Sequence, residues 1–157
     1  MKKIRLQHIL VLLALAALIV CLCFPLVTIT YADSTYVTLT NFQVNANGDH
    51  SSASPWALGA LLIAAAVGQL FVLLIAAFQN YTLQKRTLVF SMLLLAGYYV
   101  VYLIFLLILK EGSTTIIPSW TTILPLIAII LDFMSFRSIL HTEAKIIASG
   151  NSVRLRD

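Results

Sequence analysis

Four long apolar windows, separated by polar segments, dominate the hydropathy pattern of the chain. They cover approximately residues 9–29, 56–78, 88–109 and 120–136. A helix needs about 20 apolar residues to cross the hydrocarbon core of a bilayer, so each window is a candidate span. The first three windows contain no Asp, Glu, Lys or Arg, and the fourth contains Asp132 alone. The pattern predicts an all-α membrane protein, built as a four-helix transmembrane bundle.

The composition supports a lipid environment. Hydrophobic residues make up 61% of the 157 residues and charged residues 10%, and the mean hydropathy is +0.98. Soluble domains are about half apolar and about a quarter charged. No polar segment is long enough to fold as a separate soluble domain. Residues 1–157 are therefore expected to form a single four-span membrane domain.

The basic residues predict an orientation. Nine of the ten Lys and Arg residues fall on one side of the predicted membrane: Lys2, Lys3, Arg5, Lys85, Arg86, Arg137, Lys145, Arg154 and Arg156. Only Lys110 falls on the other side. The excess places the N and C termini in the cytoplasm, where these residues meet anionic lipid headgroups. We expect no nucleic-acid partner, since no folded module or aromatic–basic pattern accompanies the charge.

The first window has a competing interpretation as a cleaved signal peptide, because it has a basic start and Thr30-Tyr31-Ala32 loosely resembles a cleavage site. Its apolar core of around twenty residues exceeds the usual 7–15 or so. A lipidated Cys21 would need a small residue before it, and Val20 stands there. The length of the core favours a retained helix.

The loop over residues 30–55 predicts strands. Residues 37–44 partly alternate between apolar and polar, as in a strand with one covered face. A strand near residues 28–31 would pair with it, and Asn47-Gly48 is a turn signal. We expect a small β-sheet or hairpin over the outer end of the bundle.

Candidate metal ligands and redox groups are sparse. Asp33, Asp49 and His50 do not make a convincing set of three converging ligands. Cys21 and Cys23 are two residues apart and point to different faces of a helix. Four-span thiol oxidoreductases need a redox-active pair, typically C-x-x-C, and the sequence has none. We expect no metal and no cofactor.

The second span carries packing signals. Ala60, Ala64 and Gly68 recur every four residues, so they predict a small-residue face in tight contact with another helix. Gln69 lies near the middle of the span, where an unpaired amide is costly. Three tyrosines of the third span are its expected partners: Tyr98, Tyr99 and Tyr102.

Asp132 lies about 12 residues beyond Trp120, roughly 18 Å into the membrane at about 1.5 Å per residue. A charge at that depth is costly unless it reaches a partner. We expect a structural charge that pairs with a basic neighbour at the cytoplasmic end. The candidates are Arg5, His8, Lys85, Arg86 and Arg137.

Residues 137–157 predict a cytoplasmic tail. Its apolar spacing favours an interfacial helical extension of the fourth span, with Arg137 at the membrane surface. Gly150-Asn151 is a stop signal. Arg154 and Arg156 are expected to dock on the cytoplasmic face of this protein or a partner. Pro25 and Pro125 fall inside predicted spans and predict kinks.

The end of the chain, "EAKIIASGNSVRLRD", carries a family resemblance. Together with the basic start, the four spans and the strand-bearing loop, it resembles an uncharacterised four-span family known from Bacteroidota, domain-of-unknown-function family 4293. Glu143 corresponds to the family's acidic stretch and residues 153–156 to its Arg-Leu-Arg tail. The family's Asp is absent, with Ser152 or Val153 in that region. The resemblance implies an inner-membrane protein and brings no catalytic residues.

Three classes of function remain open. An accessory or scaffolding subunit of a membrane complex is favoured, with other membrane proteins or a second copy as partners. A transporter or channel subunit is the alternative. An enzyme acting on a membrane substrate is disfavoured, because the candidates Asp132, Glu143, His141 and His8 are scattered and match no catalytic motif.

Overall fold

The structure, a computed structural model, describes residues 6–46, 54–77, 80–110, 112 and 114–154. The helices are α1 (Leu6–Cys23), α2 (Trp56–Ala77), α3 (Tyr81–Leu109) and α4 (Leu124–Arg154), the last preceded by a 3₁₀ turn at Trp120–Ile123. The strands are β1 (Val27–Thr30), β2 (Tyr36–Leu39), β3 (Val44–Ala46) and β4 (Thr115–Pro118). All four helices are long and apolar enough to cross a membrane, as predicted.

The helices alternate in direction around a ring. Helix α1 packs on α2 and α4, and α3 packs on the same two helices. Helices α1 and α3 end at the strands, whereas α2 and α4 begin there. We call this the sheet end of the bundle. The opposite end, where α2 finishes and α3 begins, is called the α2–α3 end.

Buried positions in each helix recur at alternating steps of four and three residues. The runs are Gln7, Val11, Ala14, Leu18 and Cys21 in α1; Leu58, Leu62, Ala65, Gln69 and Val72 in α2; Gln84, Leu88, Ser91, Leu95, Tyr98 and Tyr102 in α3; and Ala128, Asp132, Ser135 and Ile139 in α4. This spacing is typical of helices that keep one stripe of side chains against their neighbours by knobs-into-holes packing. We call these positions the seam. The other faces expose large apolar side chains suited to lipid.

A four-stranded antiparallel sheet covers the sheet end, in the order β3-β2-β1-β4. The pairing of β1 with β2 confirms the predicted small sheet. Strand β4 was not predicted; it comes from the connection between α3 and α4 and pairs with the free side of β1. The sheet turns its apolar face to the bundle, where Val27, Ile29, Val37 and Leu39 are buried.

Asn41, in the connection between β2 and β3, joins the sheet to three helices. Its Nδ2 donates to the Cys21 carbonyl of α1 at 2.7 Å, and its Oδ1 accepts from the Tyr98 hydroxyl of α3 at 3.1 Å. Its backbone carbonyl accepts from the Gly59 N–H of α2 at 2.9 Å. The side chain is fully buried, so one residue fixes the sheet on the bundle.

Gly59 leaves room beside this contact for the ring of Phe42. A Cβ at that position would lie 2.1 Å from a ring carbon of Phe42, the residue after Asn41. Such a separation is far shorter than any real contact, so a larger residue would displace the ring. The missing side chain lets the loop approach the first turns of α2.

Several predicted helix features differ in the structure. Helix α1 ends at Cys23, so Pro25 follows it, and Pro125 lies in the first turn of α4, where no helical N–H is needed. Neither proline therefore interrupts a helix interior. Helix α4 continues through Gly150 to Arg154, so the predicted stop is wrong. Asn47-Gly48 lies outside the described residues.

Replacing Asn41 by Ala tests the connection between sheet and bundle. The change leaves the Cys21 carbonyl and the Tyr98 hydroxyl without their buried partner, and each such loss destabilises a protein by about 1–3 kcal/mol. We expect Asn41→Ala to lower the thermal midpoint of the purified protein in detergent by about 4 °C or more. Asn45→Ala is the matched control, because Asn45 is exposed on β3. Equal midpoints for the two variants would contradict the proposed role of Asn41.

Candidate functional site

Polar side chains from two helices, α2 and α3, meet Asp132 of a third helix, α4. The Gln69 Nε2 of α2 donates to Asp132 Oδ2 of α4 at 2.9 Å, and the Ser91 hydroxyl of α3 lies 3.3 Å from the same oxygen. All three residues are fully buried. Each occupies a seam position, on the face that its helix turns to its neighbours.

The fourth helix joins one turn further along α4. The Ser135 hydroxyl donates to the Gln7 backbone carbonyl of α1 at 3.3 Å. Gln7 and Ser135 are also buried. Together these residues form a polar layer across the bundle, composed of Gln69, Ser91, Asp132, Ser135 and Gln7, the last through its backbone carbonyl.

Several acceptors in the polar layer have no donor. Both hydrogen bonds to Asp132 end on Oδ2, and Oδ1 has no partner among the described residues. The Gln69 Oε1 and the Gln7 Oε1 are buried without a partner as well. Buried polar atoms are normally paired, so three orphan oxygen acceptors in one layer require an explanation.

No basic side chain in the described part of the chain forms an ion pair with Asp132, so the expected pairing is wrong for His8, Lys85, Arg86 and Arg137. Lys85 instead contacts Glu143, with 2.5 Å between its Nζ and the carboxylate Oε2. Arg137 is exposed on α4, and Arg5 lies outside the described residues. In the described part of the chain Asp132 contacts neutral side chains, because the seam brings α2 and α3 rather than a basic helix end to its position.

The expected tyrosine partners of Gln69 are also wrong. Tyr98 donates to Asn41, and the Tyr99 hydroxyl donates to the Thr122 carbonyl at 2.8 Å. Tyr102 stacks on Tyr98, with ring centroids 6.4 Å apart. These rings lie nearer the sheet end, about two helical turns along α3 from the Ser91 level, so they serve the sheet rather than the polar layer.

The predicted small-residue face is only partly correct. Gly68 is buried, and a Cβ there would meet the Ser91 Cβ at 3.9 Å. Ala60 and Ala64 are exposed. The seam of α2 instead passes through Leu62, Ala65 and Gln69, one residue along from the predicted face, which corresponds to a rotation of about 100°.

The ion pair of Lys85 with Glu143 fixes the last part of α4 to the first turns of α3 at the α2–α3 end. Helix α4 has 31 residues, so it is about 46 Å long, more than the roughly 30 Å hydrocarbon core. Its side chains over residues 144–150 are exposed, including Lys145 and Ile147. This supports the predicted helical extension. The Arg156 residue and the side chain of Arg154 lie outside the described part.

Metal-ligating residues do not gather in the described part of the chain. No three His, Cys, Asp or Glu side chains lie there in a group that would hold a metal ion. Asp49 and His50 fall outside the described residues. Cys21 is a buried free thiol and Cys23 an exposed one.

Enlarging Gly68 tests the packing beside the polar layer. A single methyl group fits against Ser91, whereas a leucine side chain must push α2 away from α3. Overpacking of this kind destabilises by about 1–3 kcal/mol. We expect Gly68→Ala to be tolerated and Gly68→Leu to lower the thermal midpoint by about 4 °C. Ala64→Leu, on the exposed face of α2, is the control. A larger loss for Ala64→Leu would place the contact face where the small-residue spacing predicted it.

Comparison with known proteins identifies the family. A family model described as a domain of unknown function, DUF4293, matches residues 4–150. No curated protein sequence matches the chain. The match covers α1, α2, α3, the described strands, α4 as far as Gly150 and every residue of the polar layer. The chain, with its four apolar helices, its small antiparallel sheet and its buried polar layer, belongs to the DUF4293 family.

Proposed function

We propose that this protein is an accessory or scaffolding subunit of a complex in a bacterial inner membrane. The observation that carries the proposal is that its buried polar side chains connect elements of the fold to one another. Those of the polar layer join helix to helix, and Asn41 joins the sheet to α1, α2 and α3. Contacts of this kind make the bundle a rigid body that holds its outer faces in place.

The outer face of α3 is the proposed docking face for another membrane protein or for a second copy. Only 22% of the apolar window of α3 is buried inside the bundle, against 39% for α2. Leu93 and Leu107 are among its most exposed side chains, at 68% and 72%. In a bilayer these groups meet lipid or a partner helix, and helix association there depends on close packing.

Both termini are placed in the cytoplasm by this proposal. The α2–α3 end carries Lys85 and Arg86, and the α4 extension near it carries Arg137 and Lys145, whereas Lys110 lies near the sheet end. Basic residues prefer the cytoplasmic side and its anionic headgroups. The sheet then faces the periplasm.

Cysteine labelling tests this orientation. In a chain with Cys21→Ala and Cys23→Ser, Asp33→Cys and Thr82→Cys each place one exposed thiol, near the sheet end and the α2–α3 end respectively. A membrane-impermeant maleimide added to spheroplasts should modify the first thiol. It should modify the second only after the membrane is opened. The reverse pattern would overturn the orientation.

Partner retention tests the scaffolding role. The protein is extracted from native membranes in mild detergent, and the proteins that remain bound are measured by mass spectrometry. Leu93→Trp on the proposed docking face should reduce a stoichiometric partner about tenfold, equivalent to about 1.4 kcal/mol, without changing the thermal midpoint. The matched control is Leu126→Trp, at an exposed position of α4. Equal retention in both variants would exclude α3 as the docking face.

A transporter or channel subunit is the second candidate, because a buried acidic residue inside a membrane bundle often marks an ion pathway. Asp132 is such a residue. Proton or cation flux in reconstituted vesicles that Asp132→Asn abolishes, with the fold retained, would favour this function. Vesicles that show no flux above that of empty vesicles would favour the scaffold.

A further inference from the structure

Asp132 and Gln69 are joined by one hydrogen bond, and each side chain also has an oxygen without a donor. The amide Nε2 of Gln69 donates to Asp132 Oδ2, yet the other oxygen of each group, Asp132 Oδ1 and Gln69 Oε1, is buried without a partner. Both orphan atoms are acceptors. They belong to two side chains that a hydrogen bond already joins, and each of the two atoms lacks a donor.

A carboxylate does not suit this environment. Its charge would have donors only on Oδ2, one at 2.9 Å and one at 3.3 Å. Among the buried described residues Asp132 is the only acidic or basic side chain. The groups that the neighbouring helices bring to the polar layer are neutral: the Gln7 backbone carbonyl from α1, the Gln69 amide from α2 and the Ser91 hydroxyl from α3. A buried charge without a counter-ion or full hydrogen bonding is strongly destabilising.

We propose that Asp132 is a proton-binding site and holds its proton in the folded bundle. The carboxylic acid and the amide then form a reciprocal pair, in which Gln69 Nε2–H donates to Asp132 Oδ2 and Asp132 Oδ1–H donates to Gln69 Oε1. The proton comes from water as the bundle forms. Its O–H bond supplies the donor that both orphan oxygens lack, and it removes the charge from the core.

A proton fits the site better than a metal cation. Hard cations in proteins take about six or more oxygen ligands, whereas the polar layer offers three orphan oxygens. The proton requires only two oxygens, one on each side chain. This inference is independent of the proposed scaffolding role, because the proton is part of the core whether or not the protein transports ions.

Infrared spectroscopy of the full chain in lipid vesicles at neutral pH tests the proposal. The difference between the wild-type and Asp132→Asn spectra should contain the carbonyl stretching band of a carboxylic acid. Glu143→Gln is the matched control, since Glu143 forms an ion pair with Lys85. Both difference spectra contain the bands of the new side-chain amide, and that of Glu143→Gln should show the loss of carboxylate bands without the loss of an acid band. A carboxylate band lost with Asp132→Asn, and no acid band, would overturn the proposal.

A second measurement does not depend on any variant folding. Wild-type protein that carries ¹³C at the aspartate side-chain carboxyl should show its acid band shifted to lower frequency. Asp33, by contrast, is exposed and is expected to contribute a carboxylate band. A labelled protein without a shifted acid band would also overturn the proposal.

Thermal stability distinguishes a protonated Asp132 from a charged one. Asparagine has the shape of the neutral acid and, like it, an acceptor oxygen on one side and a donor group on the other. Asp132→Asn should therefore keep both bonds to Gln69 and a thermal midpoint within about 2 °C of wild type. Asp132→Leu leaves the Gln69 amide unpaired and should lower the midpoint by about 4 °C or more. Equal losses for both variants would show that the site needs the carboxylate charge.

Discussion

The hydrogen bond between Gln69 and Asp132 is the contact on which the arrangement of the bundle depends. Apolar helices gain little by leaving lipid for each other, because lipid tails are as apolar as their side chains. A polar group left in hydrocarbon without a partner costs several kcal/mol. The few polar side chains therefore decide which helix faces meet. In this protein they turn α2, α3 and α4 toward one point, and Ser135 adds α1 through the Gln7 carbonyl.

Buried polar contacts also hold the sheet end, and there a single residue, Asn41, makes them. Asn41 satisfies a helix carbonyl, a tyrosine hydroxyl and a helix N–H, while the apolar face of the sheet covers the end of the bundle. Strand β4 closes the free side of β1 and so ties the connection between α3 and α4 to the first connection. Polar contacts near both ends leave the helices little freedom to rotate, and the outer faces keep a fixed shape for lipid or a partner.

The two candidate functions differ in how they use one residue. In a scaffold, a neutral Asp132 serves as an internal connector whose value lies in specifying the packing. In a transporter the same site would have to exchange its proton with water during a cycle, which requires the layer between α2, α3 and α4 to open. The direct contact of Asp132 with Gln69 and Ser91, all fully buried, describes a closed layer.

The sequence by itself determined the elements of this protein that depend on local pattern: four apolar helices, the pairing of β1 with β2, and the extension of α4. It did not determine which face of each helix is internal. In a helix that is apolar all round, an inward face looks like a lipid-facing one, so the spacing of Ala60, Ala64 and Gly68 indicated a face one residue away from the seam. Gln69 was the better signal, because a buried amide must point inward. Its partner Asp132 lies 63 residues away. Only the tertiary structure decided that pairing, because several helices offered polar or basic groups and the sequence does not show which of them the folded bundle brings to the level of Gln69.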